Sequence, residues 1–280
     1  MPLTLMLATD LGHRSDRALD RAALLARTWQ ARLLVVHVRE GAERRENTPS
    51  WREVSDPLAF ARRCVLRDLG AAGDLSIDVI VEHGNPGTVI PDLAARHGVD
   101  LLVCGVAREE ALGRLLLGST VESLVKRLPA PLLVVKRRPH ADYRHIVVAS
   151  DFTACASAAA AAAARWWPAA TFELFHAFTQ PFEGLLENKS RAIEQARLRA
   201  AEECQRFVAA STDVRYASTY CEHGDPAALL CDLADARDVE LVAVGTEGRR
   251  GFAGMVLGSV AQRILDRVPS DVLVVPRRER

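Results

Sequence analysis

Short apolar runs alternate along the chain with longer stretches in which apolar residues recur every three or four positions. In the first half the runs are Leu3–Thr9, Arg32–Val38, Ser76–Glu82, Asp100–Val106 and Pro131–Lys136. They are dense in Val, Leu and Ile rather than alternating polar and apolar, the pattern of parallel strands covered on both faces. The stretches between them, Ser15–Gln30, Trp51–Ala72, Pro86–His97 and Ser119–Leu128, carry helical periodicity. Strand–helix–strand alternation of this kind predicts an α/β fold built from right-handed βαβ crossovers, a parallel sheet between two helical layers. The second half repeats the series, with strands expected at Arg144–Ser150, Thr171–Phe178, Arg215–Cys221, Glu240–Gly245 and Asp271–Val275. Its helices are expected at Ala154–Trp167, Glu183–Ala210, Pro226–Arg237 and Ser259–Val268.

The repetition extends to individual residues. Glu82-His83-Gly84-Asn85-Pro86 returns as Glu222-His223-Gly224-Asp225-Pro226, and Gly118-Ser119 returns as Gly258-Ser259. Aligned without gaps, residues 81–136 and 221–276 share 18 identities in 56 positions. Two domains are therefore expected, 1–138 and 143–280, joined by the polar, proline-bearing segment Arg137–Asp142. Asn85 and Asp225 stand where a helix N-cap is needed, and Pro86 and Pro226 fit the first helical turn. That pattern, present in both halves, reads as a shared strand-to-helix turn. His83 and His223 therefore belong to the turn rather than to a metal centre, which needs three or four converging ligands. His37 and His176, at matching strand ends, read as satisfied strand-end residues.

Composition narrows the function classes. The 36 basic and 36 acidic side chains balance to zero net charge, so no broad basic field recruits nucleic acid or an anionic membrane. No apolar run approaches the ~18 residues of a membrane span, and no secretory leader is expected. The six cysteines form no C-x-x-C pair, which points to a reducing, cytoplasmic setting.

The candidate chemistry lies in Gly245-Thr246-Glu247-Gly248, followed after nine residues by Gly258-Ser259. Glycines after a strand let backbone N–H groups approach a ligand, and Gly258-Ser259 opens a helix whose N-terminus favours anions. Arg249 and Arg250 lie between. Anion binding and plain turn chemistry both fit. The spacing is neither the dinucleotide G-x-G-x-x-G nor the P-loop. In the first half Arg108 stands where the second glycine would be, followed by Glu109-Glu110, so an ordinary phosphate loop is expected to be lost there.

The G-x2-G-x9-G-S spacing of Gly245, Gly248, Gly258 and Ser259 resembles that of the universal stress protein family. The resemblance implies a tandem pair of Rossmann-like domains, each a five-stranded parallel sheet in the order 3-2-1-4-5 flanked by helices. It implies ATP, or a related adenine nucleotide, as cofactor of the second domain. The implied site is Asp151, Ala177, Gly245, Gly248, Arg249, Arg250, Gly258, Ser259 and Val260. It also implies an internal pseudo-dimer, with Pro131–Lys136 and Asp271–Val275 facing each other, and leaves room for a further homodimer and for protein partners. No catalytic residue stands out, no metal site is expected, and hydrolysis would be weak if present. Two alternatives remain beside the nucleotide-regulated stress protein. One is a nucleotide-independent scaffold; the other is a binder of a non-nucleotide anionic or apolar ligand through the first domain.

Overall fold

A computed structural model describes residues 3–40, 56–69, 74–106, 108–109, 115–116, 119–127, 129–179, 188–246 and 257–276. The chain divides into two units, Met1–Asp142 and Tyr143–Arg280. The first contains β1 (Thr4–Ala8), α1 (Asp16–Trp29), β2 (Arg32–Arg39), α2 (Pro57–Leu69), β3 (Ile77–His83), α3 (Pro86–Arg96) and β4 (Leu101–Gly105). A two-residue pair follows, β5 (Arg108–Glu109) and β6 (Leu115–Leu116), then α4 (Ser119–Arg127) and β7 (Leu132–Val135). β1 pairs in parallel with β2 on one side and β4 on the other; β3 extends the sheet beyond β2, and β7 beyond β4. Leu5, Met6, Leu7, Leu33 to Val36 and Leu101 to Val103 are fully buried, which is why these strands are apolar on both faces. Helices α1 and α2 cover one face, and α3 and α4 pack together on the other. Arg17 and Arg21 of α1 donate to the carbonyls of Lys136 and Ala141, fastening the segment after β7 to the first unit.

The second unit repeats the plan with β8 (His145–Ala149), α5 (Ala154–Trp166), β9 (Thr171–Phe178), α6 (Lys189–Ala210) and β10 (Tyr216–His223). It continues with α7 (Pro226–Arg237), β11 (Leu241–Gly245), α8 (Ser259–Arg267) and β12 (Asp271–Val275). β8 lies between β9 and β11, with β10 outside β9 and β12 outside β11, all parallel. The alanine run of α5 buries Ala156, Ala159, Ala160 and Ala163, so small side chains set a close helix–sheet distance. Asn85 accepts a hydrogen bond from the N–H of Gly87, and Asp225 from that of Ala228, the N-caps expected for α3 and α7. Gly84 and Gly224 precede them at φ 137° and 146°, a backbone region that side chains rarely adopt. The short pair β5–β6 was not foreseen; it is antiparallel and holds Arg108 extended opposite Leu116.

One polar cluster interrupts the second unit's core. Glu173, on β9, is 2% exposed. Its carboxylate accepts from His145 Nε2 (2.9 Å), Arg237 Nη2 (3.0 Å) and the Tyr220 hydroxyl (3.3 Å). Burial pushes this carboxyl up, but the bonds and charges of His145 and Arg237 outweigh it and hold the group below its ordinary 4.5. A carboxyl held low stabilises the fold above its unfolded value, and that contribution disappears as pH falls through the folded value. Glu173→Gln is expected to lower the stability of the second unit by about 1–3 kcal/mol. Its stability between pH 7 and pH 3 should also fall less steeply than that of the unsubstituted protein, as measured by thermal melts across that range.

Candidate functional site

Both units build the same turn at the carboxyl end of their central strand. After β1, Asp10 accepts from the N–H of Gly12 (2.9 Å) and the hydroxyl of Ser15 (2.7 Å), closing a loop in which Leu11 takes φ 60°. After β8, Asp151 accepts from the N–H (3.1 Å) and hydroxyl (2.6 Å) of Thr153, with Phe152 at φ 65°. An aspartate bonding its own backbone two residues on is what makes a left-handed Leu or Phe tolerable here. Burial pushes the Asp10 carboxyl up, but Ser15, the backbone N–H groups and Arg14 hold it below its ordinary value, so it is an acceptor at neutral pH. A histidine one strand over completes each turn. His37 Nδ1 donates to the Thr9 carbonyl (3.0 Å), and His176 Nδ1 to that of Ser150 (2.8 Å). These histidines are strand-end clasps.

In the second unit the residues implied by the sequence gather on this edge. Asp151 follows β8, Ala177 lies near the end of β9, Gly245 ends β11, and Gly258, Ser259 and Val260 open α8. Gly248, Arg249 and Arg250 lie outside the described residues. The two ends of the segment between them are joined directly: Gly258 N–H donates to the carbonyl of Thr246 (2.9 Å). Gly258 is the N-cap of α8 and, being glycine, makes no side-chain cap.

Gly245 has a second role that the sequence did not reveal. A Cβ there would stand 2.8 Å from both the carbonyl carbon and the Cβ of Cys155 in the first turn of α5. Gly105 is similarly placed, 3.0 Å from the Arg14 carbonyl oxygen. The glycine that both halves keep is therefore demanded by helix packing, whatever the loop beyond it binds. Gly248 has no counterpart in the first half, where Arg108 stands.

Aromatic residues absent from the expected site close around His176. Phe152 packs on its ring at 4.2 Å between centroids, tilted by 34°, and on Phe207 of α6 at 5.7 Å. Phe207 is a buried position on α6, so its apolar periodicity was legible but its link to the site was not. A further unforeseen contact joins the helices behind the edge. Arg263 of α8 donates to Asp225, the cap of α7. The first half has Ser123 at the corresponding point, packed where a Cβ on Gly87 would come within 2.6 Å.

The first unit carries an open cavity of about 530 Å³ at the ends of β1, β2 and β4. Asp10, Arg14, His37 and Arg39 supply its polar wall, and Ile90 and Val121 part of its apolar wall. Cys104 also lines it, with its thiol pushed up to about 12 by burial; it is therefore a small apolar surface rather than a nucleophile. Among the described residues no group of three or more His, Cys, Asp and Glu side chains is arranged to hold a metal, and no helix is long and apolar enough to cross a membrane.

Comparison with known proteins agrees with this architecture. The family model described as "Universal stress protein family" matches residues 1–136 and again 142–276. A universal stress protein of Mycolicibacterium smegmatis is 27% identical over 245 residues, covering 78% of this chain and 75% of its own. One from Thermus aquaticus is 31% identical over 134 residues, 48% of this chain and 98% of its own. Among solved structures, the Pseudomonas aeruginosa protein PA1789, described as functionally unknown, superposes with a TM-score of 0.72 at 20% identity, over 98% of this chain and 92% of that one. A universal stress protein from Archaeoglobus fulgidus gives 0.67 at 19% identity, over 98% of both. At these identities the structures establish the fold alone.

The packing at Gly245 yields a ligand-free test. Gly245→Ala should destabilise the second unit by about 1–3 kcal/mol, the cost of forcing a methyl into a filled space. Thermal or urea unfolding without added ligand checks this; an unchanged midpoint would mean the helix yields to the methyl.

Proposed function

The chain belongs to the universal stress protein family, and on that premise we propose that its second domain, residues 143–280, binds ATP or a related adenine nucleotide. The observation that carries the reading is the hydrogen bond from Gly258 N–H to the Thr246 carbonyl. It brings the start of α8 beside the end of β11, so Gly258 and Ser259 stand at the carboxyl edge of the sheet, where parallel α/β sheets bind ligands. In this reading the N–H groups of Ser259 and Val260, the Ser259 hydroxyl and the Gly248 backbone receive phosphate oxygens, with Arg249 and Arg250 adding charge. Asp151 and Ala177 flank the adenosine, beside the ring of His176. Bound nucleotide acts as a conformational signal in a cytoplasmic stress response; no side chain is assigned as a base, and turnover is weak at most.

Equilibrium dialysis with ATP tests the loop. Gly248→Arg places at this position the residue that the first half carries, and it should reduce retention at least tenfold, about 1.4 kcal/mol. Equal retention by both proteins removes the loop from the reading.

A second reading is favoured by the cavity of the first unit. Arg108 replaces the second glycine, and its backbone is extended in β5. We infer that a ligand here is smaller than a nucleoside triphosphate and meets Asp10, Arg14 and Arg39 by hydrogen bonds, over an apolar wall. A thermal-shift panel of nucleosides, inorganic phosphate and lipids should reveal a stabilising class. Val121→Trp, which fills the cavity, should abolish that shift while leaving ATP retention intact; a shift that survives Val121→Trp excludes the cavity.

A further inference from the structure

His145 opens β8 at the amino ends of the strands, and both nitrogens of its ring face oxygen. Nδ1 stands 3.0 Å from the carbonyl of Arg237, the last residue of α7, and Nε2 stands 2.9 Å from Glu173 Oε2 on β9. A carbonyl and an ionised carboxylate only accept, and a neutral imidazole has a single N–H to give. Both bonds therefore form only when each nitrogen carries a proton. Charge agrees with the bonding. Glu173 brings one negative charge, and Glu240, whose Oε2 accepts the N–H groups of Arg144 (2.5 Å) and His145 (3.0 Å), brings a second. The Arg237 guanidinium supplies one positive charge, and a protonated His145 supplies the other. The Tyr220 hydroxyl from β10 completes the bonds of Glu173. Arg144, Asp235 and Asp238, neighbours along the chain, are exposed, and α5, which also packs on β8, carries only Arg165 as a charged side chain, exposed as well.

The first unit manages without this cluster. Ile146 pairs with Leu241 as Leu5 pairs with Leu101, so His145 corresponds to Thr4. Glu173 pairs with Val147 as Leu34 pairs with Met6, so Glu173 corresponds to Leu34, which is fully buried. The backbone clasp survives, because Asp100 Oδ2 accepts the Thr4 N–H at 2.9 Å as Glu240 accepts that of His145. The fold thus needs the clasp and accepts a leucine in place of the buried carboxylate. A buried ionic cluster adds little stability over an apolar one, so stability does not account for its presence in the second unit.

We propose that His145 is a proton-operated latch, tying the end of α7 to the sheet while both ring nitrogens are protonated and releasing it when one proton leaves. The remaining N–H stays with Glu173, the charged and stronger acceptor. Nδ1 then faces the Arg237 carbonyl with a lone pair, and the last turn of α7 loses its anchor. The proton goes to solvent, which reaches the ring because the His145 side chain is 20% exposed, against 2% for Glu173. The latch is closed within a window of pH. Above it the imidazolium is lost, in the range over which histidines change charge, about pH 5 to 8. Below it Glu173 takes a proton; burial raises that carboxyl, but the bonds of His145 and Arg237 hold it under its ordinary 4.5. The stabilisation is present between these limits and lost on either side. At its other end α7 is capped by Asp225, to which Arg263 of α8 is bonded, so release at Arg237 reaches α8 through one helix, whatever that edge binds.

Amide hydrogen exchange on the full-length protein tests the latch, with rates corrected for their intrinsic pH dependence. Between pH 5.5 and pH 8.5 the protection of residues 234–239 should fall about threefold to tenfold, the worth of one hydrogen bond, while that of residues 156–163 in α5 stays constant. Long-range proton–nitrogen spectra of the ring should show two protonated nitrogens on His145 at pH 5.5, and the loss of one should share its midpoint with the loss of protection. In His145→Gln the protection of residues 234–239 should be low at both pH values. Glu173→Leu, which supplies the first unit's residue, leaves a neutral ring able to give its one N–H to Arg237, so protection there should be high and the same at both. The proposal is overturned if protection of residues 234–239 in the unsubstituted protein does not change with pH or falls equally in α5. It is also overturned if the change persists in Glu173→Leu, or if the His145 ring carries a single proton at pH 5.5.

Discussion

In each half the glycine that ends the fourth strand lies against the chain entering the first helix so closely that a Cβ would meet it at 3.0 Å or less. At Gly245 the missing side chain is replaced by the first turn of α5, and at Gly105 by the backbone of Arg14. Everything on the carboxyl edge follows from that contact. It fixes where β4 and β11 end, and so where the connecting loops start. It also sets the depth of the turns made by Asp10 and Asp151, which lead into the same helices. The alanines of α5 serve the same geometry, because larger side chains would lift the helix and leave Gly245 facing a void.

The regular part of this architecture was plain in the amino-acid pattern. Val- and Leu-rich runs became strands buried on both sides, and Asn85 and Asp225 became caps ahead of Pro86 and Pro226, because local chemistry alone decides those positions. Gly245, Asp151 and Gly258 were identifiable as residues of one edge. What could not be read were the contacts made by residues far apart in the chain. Glu173 sits in a strand with no sign that His145, Tyr220 and Arg237 would surround it. Phe152 and Phe207 are separated by a strand and most of a helix, yet they meet beside His176. The purpose of Gly245 was half visible: a glycine is needed there, but the reason is a helix on its far side as well as anything on its near side.

The two halves diverge where the repeat matters least to folding. The strand pairings and the helix caps are preserved, since each unit needs them to bury its own core. Behind the edge, a glycine and a serine pack α3 against α4 in the first unit, whereas an arginine bonded to the cap residue joins α7 to α8 in the second. Around the matching histidines, Val36 and Arg39 of the first unit correspond to Phe175 and Phe178 of the second, so one edge is open and polar while the other is lined with rings. Duplication supplied two equivalent edges, and side-chain replacement has made them chemically different.

The single backbone bond between Gly258 and Thr246 separates the fate of the loop from that of the domain. With its ends pinned to each other, the segment between them can lengthen or shorten without shifting β11 or α8. Even a doubling of a loop's length adds only about 0.6 kcal/mol in closure entropy. The fold thus has a place where sequence can be inserted, lost or rewritten at little thermodynamic cost. New specificities can arise there by changes in length as readily as by changes in residue, while the sheet beneath is inherited intact.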